Sequence, residues 1–294
     1  NNIIRSSGNP KMAMGLTLFT VILNSILDPI FIFTFGMGVR GAAIATVICQ
    51  AVSLAYSIYY FTRKDNVLRL PKGFFSLEWR IAKDSLSIGM GPFLMNSASC
   101  IVTMFINQQL LKYGGDLAIG AYGIINRINF LFIMVVMGFN QGMQPIAGYN
   151  FGARKYSRVR EVFLRTSMWA TIITGFWFIA SEFFPEVMVS IFTNDPSLKE
   201  MAEKGLRVMN PVVLIVGWQM VSTNLFQSLG MVRKSIFLSL SRQLLYLVPL
   251  LYLMPLFFDI HGVFAAFPIS DALACITTLV MIGNLMRKFS RLKD

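Results

Sequence analysis

Two polar side chains near the start of the chain have the types and spacing of a cation site. Asn24 and Asp28 lie four residues apart within the apolar stretch VILNSILDPIFIF, so a helix places both side chains on one face. Pro29 follows directly, and because proline has no N–H, the carbonyl of Ser25 loses its helical partner and we expect a kink. Carboxylate, amide and carbonyl oxygens suit a hard cation such as Na⁺, and a carboxyl group shielded from water can instead carry a proton. The residues leave the choice between Na⁺ and H⁺ open.

Two further charged residues lie inside apolar segments, where an ionisable side chain is costly and usually functional. Asp271 lies in FPISDALACITTLV and is interpreted either as a second ion or substrate site or as a polar lining group. Arg127 lies in GIINRINFLF and is predicted to be the only basic residue well inside a membrane span. It either pairs with a carboxylate or helix carbonyls, or it contacts substrate. Both residues are candidates for a cavity in the C-terminal part of the chain.

Other patterns that often mark a catalytic or metal site are weak in this chain. His261 is the only histidine, and Cys49, Cys100 and Cys275 have neither metal-ligand nor disulfide spacing. A literal GxGxxG at 36–41 joins two apolar segments, without the preceding strand or following acid of a dinucleotide site. Neither HExxH nor GxSxG occurs. The chain is therefore predicted not to be an enzyme and to use no cofactor beyond a coupling ion.

The elements that must position the polar residues are membrane-spanning helices. The 294 residues are 55% hydrophobic and 14% charged, whereas soluble domains contain about 25% charged residues. The apolar residues form blocks longer than the roughly 20 residues that cross a bilayer. The fold class is predicted to be all-α, a polytopic helical membrane protein. The eight predicted spans are 12–35, 41–62, 85–111, 117–148, 162–185, 205–229, 235–257 and 262–286.

The basic residues predict how these spans are oriented. The net charge is +12, and most of the 26 Lys and Arg residues lie before the first span, after the second, fourth and sixth spans, and in the tail. The positive-inside rule places this side in the cytoplasm, so both ends of the chain are expected on the cytoplasmic side of the membrane. No basic stripe is present, so a nucleic-acid partner is not expected.

An internal repeat links the two ends of the chain. The segment LDPIFIF at 27–33 aligns with LVPLLYL at 247–253, and RGAAIA at 40–45 aligns with HGVFAA at 261–266. NNIIRSSGNPK likewise resembles TNLFQSLGMVRK, and the separation stays near 220 residues. Six spans separate the copies, so both copies are predicted to cross the membrane in the same direction. Parallel repeats of this kind occur in secondary transporters.

The repeat also divides the chain and bears on Asp28. Residues 84–294 contain the six spans of one full half, 1–64 contain the last two spans of another, and 65–83 form a predicted cytoplasmic linker. Pro29 aligns with Pro249, but Asp28 aligns with Val248. The acid is thus not needed merely to stabilise a kink, which favours the functional reading over the structural one.

These residues give the chain a clear resemblance to a known family. The stretches NNIIRSSGNPKMAM, LNSILDPIFI and GVRGAAIAT are similar to spans five and six of the multidrug and toxic compound extrusion (MATE) transporters. GFNQGMQPIAGYNFGARKYSRVREV at 138–162 resembles the end of their eighth span and the loop after it. The similarity covers the whole chain and is strongest to the bacterial branch that includes the DinF-like proteins.

The resemblance implies a protein of twelve helices in two six-helix lobes, of which this chain contains about eight and lacks about the first four. It implies alternating access and export of small lipophilic organic cations by antiport with Na⁺ or H⁺. The protein would work as a multi-pass protein in the lipid bilayer of the bacterial cytoplasmic (inner) membrane, without an obligate protein partner. Asn24 and Asp28 fall on the amide and carboxylate of the family's N-lobe cation site, which would then hold Na⁺ or a proton. The isolated chain is expected to be inactive, since half of the central cavity would be missing.

The main alternative is a flippase for lipid-linked oligosaccharides from the same superfamily. Such a protein is expected to line its cavity with several basic residues, and Arg127 is the one that the sequence offers. Some MATE members also place acids on spans seven and ten. The corresponding segments, GMGPFLMNSASCIVTMF and LRVMNPVVLIVGWQM, contain no acid, so a C-lobe ion site of that kind is not expected.

Overall fold

The computed structural model describes residues 2–62 and 78–291 and divides the chain into two compact units, Asn1–Ala82 and Lys83–Asp294. Every regular element in these described ranges is a helix, so the all-α prediction is confirmed. The first unit contains α1 (Asn2–Ser6), α2 (Pro10–Pro29), a π-helical segment (Ile30–Thr34) and α3 (Gly38–Thr62). Most of the predicted linker, 65–83, lies outside the described residues.

The rest of the described chain is also helical. Its elements are α4 (Trp79–Gly152), α5 (Tyr156–Phe183), α6 (Pro185–Ser190), α7 (Pro196–Met209), α8 (Val213–Ser228), α9 (Val232–Leu240), a π-helical segment (Ser241–Leu247), α10 (Val248–Leu253) and α11 (Pro255–Arg291).

Capping residues explain where several helices begin. The Asn9 side chain accepts a hydrogen bond from the Met12 N–H at 3.3 Å, and Pro10 occupies the first helical position of α2. Asp195 does the same for α7, where its carboxylate accepts from the N–H groups of Ser197 and Leu198. Each cap satisfies backbone donors that have no partner inside the helix.

The predicted division into spans is recovered through two breaks. Phe93–Gly152 is an apolar helical stretch of 60 residues. A straight helix of this length would be about three times as long as the bilayer core is thick. Gly115 interrupts it, with φ 65° and ψ −164°, between the predicted third and fourth spans. The helices α7 and α8 are bent by 61° at a break that contains Pro211, and together they form a single apolar span. With these two breaks the described residues provide the eight predicted spans.

The two units differ in how much apolar surface they bury. In the second unit, two clusters of apolar side chains fill the bundle. Trp177 of α5 stacks on Phe132 with ring centroids 3.5 Å apart, and its indole N–H donates a hydrogen bond to Asn129. In the first unit, Ile4 and Tyr60 belong to one small cluster, and only 6% of the apolar window of α2 is buried. Such a long exposed apolar surface is typical of a helix that faces lipid or other membrane helices.

The internal repeat has a counterpart in backbone geometry. Gly8 and Gly230, which the repeat aligns, both have positive φ, at 90° and 72°. Gly41 and Gly262, also aligned, both lie against a preceding backbone carbonyl, where a Cβ atom would be 2.6 Å from the Phe31 oxygen or 2.4 Å from the Met254 oxygen. The repeated sequence therefore encodes a repeated turn between helices.

One ion pair between short helices predicts a pH effect. Lys199 of α7 donates to Glu186 of α6 at 2.9 Å, and this hydrogen bond, together with the lysine charge, lowers the pKa of Glu186. Because the folded pKa is depressed, the pair stabilises this contact above the ordinary carboxyl pKa, and the stabilisation is lost as the pH falls through the lowered value. We expect hydrogen-exchange protection of α6 to fall across that range, with a weaker response in Lys199→Gln.

Lys204→Gln is the matched control for this pH effect. Lys204 pairs with Glu200 inside α7 and also lowers a carboxyl pKa, yet it does not connect α7 to α6. The control should keep the pH response of α6. An unchanged response in Lys199→Gln would mean that the pair does not hold the two helices together.

Candidate functional site

The first candidate site is the Asn24–Asp28 pair on α2. The Asn24 amide nitrogen donates to Asp28 Oδ1 at 3.2 Å, and both side chains are half-buried. One helical turn separates the residues, so α2 alone brings them together. Within the described residues, Asn24 Oδ1 and Asp28 Oδ2 accept no hydrogen bond. Two oxygens, one neutral and one carrying part of the carboxylate charge, are thus left for a cation.

Pro29 is followed by a type of helix that the sequence analysis did not predict. The helix continues beyond Pro29 as a π-helix over Ile30–Thr34, and the N–H of Ile30 bonds to the Leu27 carbonyl. The Phe35 N–H then bonds five residues back to Ile30 at 3.0 Å. The missing N–H of proline is therefore accommodated by a wider turn. Single-turn π-helices are frequent at functional sites.

A cation at Asp28 would meet one carboxylate and otherwise neutral oxygens. Within the described ranges, no group of three or more His, Cys, Asp or Glu side chains is arranged to hold a metal. A divalent or transition-metal site usually needs more anionic or nitrogen ligands than this. A monovalent cation or a proton suits the donor set better.

The second candidate site lies in the C-terminal unit, where Asp271 pairs with a residue that the sequence analysis missed. The Arg242 Nε donates to Asp271 Oδ1 at 2.6 Å. Arg242 lies near the middle of the apolar helix Val232–Leu253, so the prediction that Arg127 is the only basic residue well inside a span is wrong. Arg242 falls within the predicted span 235–257, which is the signal that could have identified it.

Arg127 and Asp271 do not come together. The Arg127 side chain is exposed on α4, and none of the ion pairs among the described residues includes it. Asp271 is mostly covered, with 14% of its side chain exposed. Of the two residues predicted for a C-terminal cavity, Asp271 belongs to an ion pair and Arg127 presents an unpaired charge.

The π-helical segment Ser241–Leu247 provides a row of polar contacts around this ion pair. Gln243 and Ser99 of α4 are joined by hydrogen bonds of 2.9 and 3.1 Å, and the Tyr246 hydroxyl lies 2.7 Å from Thr277 Oγ1 of α11. We call this group the polar seam. Its members are Arg242, Gln243, Tyr246, Ser99, Asp271 and Thr277.

The polar seam is not repeated in the first unit. At the repeat separation of about 220 residues, Arg242, Gln243 and Tyr246 align with Ile22, Leu23 and Ile26, which are all apolar. Asn24 and Asp28 in turn align with Leu244 and Val248. Each half of the repeat thus carries its own polar group, on different positions of corresponding helices.

The Arg242–Asp271 pair predicts a measurable coupling energy. Removing the charge in Asp271→Asn leaves a guanidinium without its counter-charge, and we expect a loss of about 1–2 kcal/mol, because the 37% exposure of Arg242 weakens the effect of a fully buried pair. The double variant Arg242→Gln with Asp271→Asn should be more stable than Asp271→Asn alone. Unfolding in detergent, followed by tryptophan fluorescence, would provide the double-mutant cycle.

Arg165 and Glu161 form the matched control pair. Their side chains are 74% and 56% exposed, so their coupling should not exceed about 0.5 kcal/mol. Equal coupling energies for the two pairs would contradict the assignment of Arg242 and Asp271 as an interior ion pair.

Comparison with known proteins identifies the family of the chain. The sequence profile of the MatE family matches residues 88–253, more than half of the chain. The multidrug export protein MepA of Staphylococcus aureus (strain N315) is 29% identical over 278 residues, which cover 95% of this chain and 61% of that protein. MepA of Staphylococcus saprophyticus is 27% identical over the same length. The chain therefore spans about three fifths of the length of these relatives.

Solved structures share the fold. A MOP superfamily transporter from Pyrococcus furiosus, described as having a binding pocket of reverse polarity that suggests a different function, superimposes with a TM-score of 0.90 at 26% identity. The superposition covers 99% of this chain and 65% of the Pyrococcus furiosus transporter. A MATE transporter in complex with MaL6 gives 0.90 at 25% identity, with 98% and 66% covered. From the profile match, the relatives and the shared fold, the chain belongs to the MatE family of multidrug and toxic compound extrusion transporters.

Proposed function

We propose that the complete protein is a secondary active transporter that exports lipophilic, cationic small molecules such as drugs and toxins, in exchange for Na⁺ or H⁺. The observation that carries this proposal is the Asn24–Asp28 contact, a half-buried carboxylate held by an amide inside an apolar helix. The named relatives, which are multidrug export proteins, support the substrate class.

The chemistry of antiport follows from the energetic cost of this carboxylate. An ionised Asp28 inside the bilayer is unfavourable unless a cation or proton neutralises it. Binding of the coupling ion therefore favours whichever conformation shields the site from water, and release favours the other. The π-helical segment Ile30–Thr34 directly follows the site, where a small change of helix geometry would alter its surroundings. Alternating access of this kind lets an ion gradient drive export.

The same proposal assigns the parts of the chain and their sides. Residues 1–64 are the last two helices of an N-lobe, 65–83 are a cytoplasmic linker, and 84–294 are a six-helix C-lobe. The basic connectors and the C-terminus face the cytoplasm of a bacterial cell, in accordance with the positive-inside rule. The coupling ion is bound at Asn24 and Asp28, and no obligate protein partner is needed.

One observation favours the flippase for lipid-linked oligosaccharides as a second candidate. Two arginines, Arg127 and Arg242, lie within apolar spans, and both expose part of their side chains. A lipid-linked oligosaccharide carries phosphate groups, which guanidinium groups bind well. The related Pyrococcus furiosus transporter is described with a pocket of reverse polarity, which supports keeping this candidate.

The test uses the full-length gene product in proteoliposomes loaded with a fluorescent lipophilic cation. In one series an inward-directed Na⁺ gradient drives efflux of the cation, and in another series an inward-directed H⁺ gradient does so. Protein-free liposomes and ionophore-treated samples are the controls. Gradient-dependent efflux supports the antiporter, and the effective gradient identifies the ion. Absence of efflux under both gradients, together with translocation of a fluorescent polyprenyl-phosphate lipid, would support the flippase instead.

A further inference from the structure

The Arg242 guanidinium has more hydrogen-bond donors than the polar seam uses. Its Nε–H donates to Asp271, and its four other N–H groups have no partner among the described residues. The Arg242 side chain is 37% exposed, whereas that of Asp271 is 14% exposed. Arg242 is therefore the more accessible member of this ion pair, and the carboxylate is largely covered.

The depth of Arg242 makes these open donors unusual. It is the eleventh residue of the 22-residue apolar helix Val232–Leu253, so it lies far from either end. Arginines near helix ends reach the headgroup region with their charge, but a central arginine is expected to face a cavity or a partner. We therefore expect the open donors of Arg242 to face a cavity or a ligand, and not lipid.

The groups beside Arg242 define what such a ligand would touch. Gln243 and Tyr246 are occupied by Ser99 and Thr277, so neither competes for the Nη edge. Phe267, one helical turn before Asp271, stacks on Tyr122 with ring centroids 5.6 Å apart. Phe267 and Asp271 lie on one face of α11, so this aromatic pair belongs to the helix face that carries the ion pair. A planar cation and an aromatic pair thus meet the same face of α11.

We propose that the Nη edge of Arg242 binds an oxyanion, a carboxylate or a phosphate, of an amphipathic ligand whose apolar part lies against Tyr122 and Phe267. The planar fork of arginine matches the two oxygens of such a group, and charge-assisted bonds of this geometry are strong. Asp271 occupies Nε and leaves the opposite edge free. Because Arg242 already neutralises it, Asp271 offers little to a cationic ligand, which would first have to displace the arginine.

This subsite goes beyond the proposed cation antiport and rests on it only for the idea that the bound molecule is transported. Two sources of the same oxyanion chemistry exist, a soluble amphipathic carboxylate or zwitterion and the phosphate of a lipid headgroup. Binding itself requires neither an ion gradient nor the Asn24–Asp28 site. It can therefore be measured separately from transport.

The experiment measures binding of 1-pyrenebutyrate and of its uncharged methyl ester to the full-length gene product in nonionic detergent. Wild type should bind the carboxylate about 10- to 100-fold more tightly than the ester, which is the effect of a charged hydrogen-bonded pair. Arg242→Gln should remove this preference and leave ester binding unchanged, and Arg242→Lys should keep part of it, since the charge remains but the fork is lost.

Arg127→Gln is the matched control, since it removes another exposed guanidinium from the interior of a predicted span. It should keep the preference for the carboxylate. If Arg242→Gln folds poorly, the double variant with Asp271→Asn removes both charges and serves in its place. Equal binding of carboxylate and ester by wild type, or an unchanged preference in folded Arg242→Gln, would overturn the proposal.

Competition identifies the source of the oxyanion. Short-chain phosphatidic acid, compared with phosphatidylcholine, should displace the probe in an Arg242-dependent manner if the site takes a lipid phosphate. Displacement by soluble aromatic carboxylates alone assigns the site to a soluble ligand. Cation efflux by Arg242→Gln is measured in parallel, so that loss of the anion preference with intact ion-driven efflux separates this subsite from the proposed antiport.

Discussion

Asp28→Asn is expected to abolish ion-driven efflux of lipophilic cations by the full-length protein. The change keeps the size of the side chain but replaces one carboxylate oxygen by an amide NH2 and removes the charge that a cation or proton neutralises. Replacing a charged contact by a neutral one costs about 2–3 kcal/mol, so the affinity for the coupling ion should fall about 30- to 100-fold. The efflux rate at a fixed gradient should then fall close to the rate of protein-free liposomes. The measurement is the initial efflux rate of a fluorescent cation from proteoliposomes.

Three further variants make this result specific. Asn24→Ala removes the amide that holds the carboxylate at 3.2 Å and should give an intermediate loss. Pro29→Ala restores the backbone N–H and should weaken coupling without removing the ligand oxygens. Glu161→Gln removes a carboxylate from an exposed pair and should leave efflux unchanged. Wild-type efflux rates in folded Asp28→Asn would move the coupling site to Asp271 or outside this chain.

Gly262→Ala is expected to cause the largest loss of stability in the second unit. A Cβ atom there would lie 2.4 Å from the Met254 carbonyl oxygen and 2.5 Å from its carbon, and a backbone group cannot move aside as a flexible side chain can. Forced overpacking of this kind costs about 1–3 kcal/mol or more. Gly41→Ala should act similarly in the first unit, where the Phe31 carbonyl is 2.6 Å away.

Gly283→Ala provides the control on the same helix, α11. No atom lies within 4 Å of its added Cβ, and alanine is a better helix former than glycine by about 1 kcal/mol. Thermal unfolding in detergent should show a lower midpoint for Gly262→Ala and an equal or higher one for Gly283→Ala. Equal midpoints for the two variants would show that the backbone between Met254 and Gly262 can relax.

Local features of the site were predictable because they depend on helical spacing alone. Asn24 and Asp28 are one turn apart, so any helix over this stretch brings them into contact. The division between the third and fourth spans was also predictable, because the polar segment around Gly115 interrupts a long apolar run. The repeat located the turn glycines, since both copies need the same close approach of backbones.

Contacts between distant segments were not predictable. Arg242 and Asp271 are 29 residues apart on different helices, and their pairing depends on how the π-helical segment Ser241–Leu247 rotates its side chains towards α11. The π-helix that follows Pro29 over Ile30–Thr34 was not predicted either. In both places, the width of a helical turn decides the outcome, and hydrophobic periodicity does not encode that width.

The most direct test of the coupling site is ion flux measured against substrate flux. Proteoliposomes containing the full-length protein and loaded with a lipophilic cation would be placed in ²²Na⁺, or in a buffer with an internal pH dye, without any other driving force. Asp28 as the coupling site predicts ion entry that accompanies cation efflux in wild type, and no such entry in Asp28→Asn. Ion entry coupled to efflux in the Asp28→Asn variant would contradict the account.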